Sequence, residues 1–107
     1  MNKSLEDEMK ERIMKWLEGL NEEERGQAEV LDAYFLFRRP LPGEEPGMGK
    51  PVEEHKTTDE IIDDLMPMMY IKKEVVVGWM CSHGYGMTTI GDGSVKWAVW
   101  RFVDGTY

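Results

Sequence analysis

Cysteine is almost missing from this chain. Cys81 is the only one in 107 residues, so no disulfide can close within it, and a reducing compartment, the cytoplasm, is the expected setting. Histidine is nearly as rare, at His55 and His83. Structural zinc wants four tetrahedral ligands and catalytic zinc three. Cys81, His83 and His55 are the only Cys and His the chain offers, too few for a structural site. Cys81 and His83, two apart, also point away from each other on a helix. The same geometry denies them a nucleophile–base pairing. No metal and no cofactor is expected.

Positive charge is also short. There are 13 Lys and Arg against 21 Asp and Glu, a net charge of −8. Phosphates are bound by Lys and Arg, so this deficit opposes nucleic-acid binding. The imbalance is uneven: residues 1–55 hold 8 basic and 14 acidic side chains, residues 56–107 hold 5 and 7. The second half is therefore near neutral, and local patches can decide binding there. Long apolar runs are lacking, with none near the roughly 18 residues of a membrane span. Met1 to Glu8 is polar and acidic, unlike a signal peptide. No acid–base or nucleophile motif stands out among the carboxylates, and Gly91-Asp92-Gly93 is not followed by the Lys-Ser/Thr of a phosphate loop. An enzyme is not expected.

What is present fits one small domain with an added arm. The hydrophobic content of 41% can fill a modest core. Seven of the eleven aromatics lie at or after residue 70, which weights that core to the C-terminal half. Residues 4–19 read as a helix capped by Ser4, with Leu5, Met9, Ile13, Trp16 and Leu17 forming one apolar stripe. That stripe either packs on its own domain or makes residues 4–19 a homodimerisation arm. A second helix is expected from about Glu22 to Phe37, with a capping box at Asn21 and Glu24 and an end at Arg38-Arg39-Pro40. Residues 40–56 hold four of the five prolines and read as a mobile linker or surface loop. The chain thus divides into a helical pair at 1–39, a loop at 40–56 and a C-terminal unit at 57–107.

In that unit, Thr57 or Thr58 caps a third helix with Ile61, Ile62, Leu65 and Met66 inward, ended by Pro67. Met68-Met69-Tyr70 makes a turn. Residues 71–85 contain Val75-Val76-Val77, which favours strand, but Ile71, Val75 and Trp79 recur at helical spacing, and neither strand face is clean. A helix is the better reading, closed by Gly84 in a left-handed conformation. Met87 to Ile90, Gly91-Asp92-Gly93-Ser94 and Val95 to Val103 then read as a β-hairpin. Aromatics fall on both faces of its second strand, so Trp97, Trp100 and Phe102 are either cover for the helices or a stacking platform. Met66, Met68, Met69, Met80 and Met87 read as soft core filling, with an adaptable partner surface as the alternative.

Over residues 57–103 this order resembles the winged helix-turn-helix family, as found in regulators and accessory proteins of bacteria and their mobile elements. The resemblance rests on Thr58-Asp59-Glu60-Ile61-Ile62-Asp63-Asp64-Leu65 for the first helix of the pair. It rests equally on Val76-Val77-Gly78-Trp79-Met80-Cys81-Ser82-His83-Gly84-Tyr85 for the second, and on the glycine-rich hairpin as the wing. It implies an α+β fold, a mainly helical winged-helix domain with a C-terminal β-hairpin and an N-terminal helical extension. It further implies duplex DNA as partner, in transcription regulation; a dimer is expected with it, since two copies compensate for few basic residues in each. The implied contacts are Lys72, Lys73, Ser82 and His83 near the second helix, and Lys96 and Arg101 on the wing. The departures are Pro67 in the turn, four acids on the first helix, and few base-reading side chains on the second. They leave an alternative: an acidic winged-helix module that binds another protein and no DNA.

Overall fold

The computed structural model describes residues 4–103. Its elements, in chain order, are α1 (Leu5–Glu18), α2 (Glu22–Tyr34), β1 (Arg38–Arg39), β2 (Val52–Glu53), α3 (Thr58–Leu65), α4 (Lys73–Ser82), β3 (Met87–Thr89), β4 (Val95–Trp97) and β5 (Trp100–Arg101). It is an α+β arrangement of four helices and two small antiparallel sheets.

The helix starts follow local chemistry. The Ser4 hydroxyl accepts from the Asp7 N–H at 3.1 Å. Asn21 with Glu24 and Thr57 with Glu60 form reciprocal capping boxes that open α2 and α3, each contributing about 1 kcal/mol. The triple valine is helical, in α4. Gly84, at φ +85, closes α4 while the Tyr85 N–H donates to the Met80 carbonyl and the Gly84 N–H to that of Cys81. This is the Schellman pattern, and only glycine enters it without strain.

α4 is the hub. It packs against α1, α2 and α3, and Ile71, Val75, Val76 and Met80 are essentially sealed from solvent. Phe35 stacks on Trp79 with centroids 4.6 Å apart, and Ala28 and Leu31 complete the α2 side of the same core. Gln27, buried on α2, accepts the Lys72 backbone N–H at 2.8 Å, tying α2 to the start of α4. The apolar stripe of α1 faces this core from outside: the Trp16 indole lies directly over Gly78, and Arg12 donates to the Ser82 carbonyl at the end of α4.

Three expectations need correction. The second helix stops at Tyr34, not Phe37. The Arg38 guanidinium folds back onto the Tyr34 carbonyl and ring, satisfying a terminal acceptor, while Arg38–Arg39 extends into β1. The stretch 40–56 is not all loop, because its end forms β2, and Lys56 bridges Trp97. The hairpin's second strand does not run whole to Val103. β4 pairs with β3, with Thr88 opposite Lys96. The chain then re-enters pairing as β5, between β1 and β2. The break shifts the face that is buried, so that Trp97, Val99 and then Phe102 point inward.

Candidate functional site

The side chains expected to contact a partner lie on or beside α4, the β3–β4 hairpin and β5. Lys72 sits at the N-cap of α4 with its ammonium 3.5 Å from Glu24. Lys73 stands 3.4 Å from Asp59, and Lys96 on β4 stands 3.8 Å from Glu60. Arg101 is on β5, away from the β3–β4 ladder, and its Nε is 3.0 Å from a Glu54 oxygen. That nitrogen is not aligned to donate, so the contact is Coulombic rather than a hydrogen bond. Lys56 completes the set, 2.6 Å from Asp64. All five basic residues from position 56 onward thus face the chain's own carboxylates.

Ser82 and His83 do not lie free beside them. Ser82 is buried, and its hydroxyl donates to the Trp79 carbonyl at 3.0 Å. His83 lies flat on Trp79 with centroids 3.7 Å apart. Its Nδ1 is 2.8 Å from the Trp79 carbonyl, which can only accept, so Nδ1 carries the proton. The side chains that α4 exposes are Lys73, Glu74, Val77 and Cys81. The hairpin tip carries Asp92, whose carboxylate accepts from the Ser94 hydroxyl and N–H and is held below the usual carboxylate range by them.

Burial pushes His83 below its ordinary value of 6.5, and Arg12 adds to this, while the Trp79 carbonyl and Asp32 oppose it. The folded protein therefore resists protonation that the unfolded chain accepts. Stability is full above pH 6.5 and declines as pH falls through the folded value. His83→Phe keeps a stacked ring and removes the proton. The melting temperature of the parent should fall between about pH 7 and pH 5 more steeply than that of the variant. Parallel curves would contradict this.

Of the five methionines of the C-terminal unit, only Met80 fills the core. Met66, Met68, Met69 and Met87 are exposed, so core filling accounts for one of them. Sequence reasoning also missed the Trp16–Gly78 contact, since a lone glycine inside a helical pattern carries no sign of its neighbour. Among the described residues no three His, Cys, Asp or Glu side chains converge as a metal site, and no helix is long and apolar enough to cross a membrane.

No protein-family model, curated protein or solved structure matches this chain.

Proposed function

We propose that the chain is a small winged-helix-like interaction module that docks on another protein and does not hold duplex DNA. The observation that carries this reading is the pairing of every basic residue from position 56 onward with an internal carboxylate. An exposed pair contributes at most about 1 kcal/mol, so phosphate could displace any single one. The sum is what matters. Asp63 on α3, Glu74 on α4 and Asp92 at the hairpin tip stay exposed, and a phosphate backbone meets more carboxylates than cations there. α4 offers no Arg, Asn or Gln to read base edges.

Support for the winged-helix layout comes from the strands. Residues 52–56 precede α3 and pair with 97–101, and the α3–α4 pair leads into the β3–β4 hairpin. That layout also keeps the DNA-binding regulator as the rival reading. A homodimer through residues 4–19 draws less support, because Trp16 of that stripe is spent on α4.

The test is a gel shift with nonspecific duplex. No retarded species is expected at about 50 mM salt. Retardation that falls steeply with salt and disappears in Lys72→Glu with Lys73→Glu would establish the rival instead.

A further inference from the structure

The turn between α3 and α4 displays five apolar residues in a row, Met66-Pro67-Met68-Met69-Tyr70, all exposed. Met66 is 47%, Met68 73%, Met69 39% and Tyr70 58% accessible. Such a run is costly on a water-facing surface unless it is used. It is not a frayed segment. Leu65 and Ile71, at its two ends, are buried in the core. The N–H groups of Met68 and Met69 both donate to the Leu65 carbonyl, at 2.9 and 3.0 Å. The apolar side chains are therefore presented from a fixed backbone.

The charge left unpaired around this turn has one sign. Asp63 precedes it by one helical turn, and Glu74 follows it in the first turn of α4. Lys72, through its contacts with Gln27 and Glu24, brings up the start of α2, which carries Glu22 and Glu23. Among the described residues no cation pairs with Asp63, Glu74, Glu22 or Glu23, while the neighbouring Lys72 and Lys73 are both taken. We infer that the methionine turn is the docking surface of the module, and that its partner is a Lys- or Arg-rich amphipathic helix of another protein. Apolar anchors of such a helix would pack on flexible, polarisable methionines. Its cations would meet the unpaired carboxylates, which set orientation and association rate. A second copy of this chain would set carboxylates against carboxylates, and an anionic membrane would be repelled by the same rim.

This inference presupposes the protein-interaction reading and is tested separately from it. The probe is a fluorescein-labelled lysine–leucine amphipathic peptide, followed by anisotropy. Saturable binding is expected, weakened roughly tenfold or more in Met68→Ser with Met69→Ser. Asp63→Asn with Glu74→Gln should weaken it at low salt, and the difference should vanish at high salt. Leu41→Ser, an equally exposed apolar site elsewhere, should bind as the parent does. Both methionines are exposed, so folding of the variant is checked simply by circular dichroism. Equal affinity of the serine variant, or equal binding of a peptide with glutamate in place of lysine, would overturn the inference. So would a parent dimer that Met68→Ser with Met69→Ser dissociates, or retention on anionic vesicles. Failure of the peptide with no duplex retardation sinks the turn alone. Duplex retardation with peptide binding intact sinks the protein-only reading alone.

Discussion

Gly78→Ala should destabilise the protein by about 1–3 kcal/mol, against the usual sign of such a change. Alanine inside a helix ordinarily gains about 1 kcal/mol over glycine, because it restricts the unfolded chain and keeps water from the backbone. Here the added Cβ would stand 2.2 Å from Trp16 Nε1 and 2.7 Å from Cε2. α4 itself packs on α2 and α3, so the half-buried indole yields either by swinging outward or by lifting α1, and both give up its packing on α4. The clash therefore outweighs the propensity gain. Lys10, Arg12 and Lys15 are exposed already, but an α1 released from α4 loses the Arg12 bond to the Ser82 carbonyl and can unwind, so trypsin should cut there faster. The sign should reverse once the indole is gone: in a Trp16→Ala background, Gly78→Ala should stabilise by roughly 0.5–1 kcal/mol. Urea unfolding of the four proteins in this cycle decides it. A stabilising Gly78→Ala in both backgrounds would mean that the helices do not meet at this point.

The same contact shows where sequence reading stops. Asn21 with Glu24, and Thr57 with Glu60, were legible because a capping box is closed between residues three apart. The helical state of Val75-Val76-Val77 was legible from the spacing of Ile71, Val75 and Trp79, since burial on one face overrides β-branched propensity. The hairpin turn announced itself in Gly91-Asp92-Gly93-Ser94, where Gly93 takes φ +87. What failed was non-local. β5 is a two-residue strand whose partners, Arg38–Arg39 and Val52–Glu53, lie far back in the chain. No local alternation marks a pair of arginines as strand. The candidate DNA contacts failed to stand free for the same reason: Lys96 meets Glu60 and Lys72 meets Glu24, pairings that sequence separation hides. A count of charges gave a C-terminal half near neutral, whereas the fold pairs its cations and leaves Asp63, Glu74 and Asp92 over.

Glu54→Ala should cost about 2–3 kcal/mol, several times what an exposed ion pair contributes. Arg38 and Arg101 are directly opposite each other across the β1–β5 ladder, and like charges so placed destabilise a sheet. Glu54 supplies the compensation: Oε1 is 2.5 Å from Arg38 Nε, and Oε2 is 3.0 Å from Arg101 Nε. Arg38 and Glu54 are each only 17% exposed, so removing the carboxylate leaves a poorly solvated guanidinium facing another. Arg38 keeps its bond to the Tyr34 carbonyl and its place over the Tyr34 ring, which is why the cost stays below that of a fully buried orphan charge. Glu6→Ala is the control. Its pair with Lys10 has side chains 79% and 68% exposed, and its loss should change stability by no more than about 0.5 kcal/mol. Salt separates the two mechanisms. If repulsion between the arginines drives the loss, raising ionic strength should shrink the Glu54→Ala deficit, and Arg38→Met in that background should recover part of it. A deficit no larger than that of Glu6→Ala would mean that β5 is kept in place by the inward packing of Val99 and Phe102 alone, with the charged trio contributing nothing to the sheet.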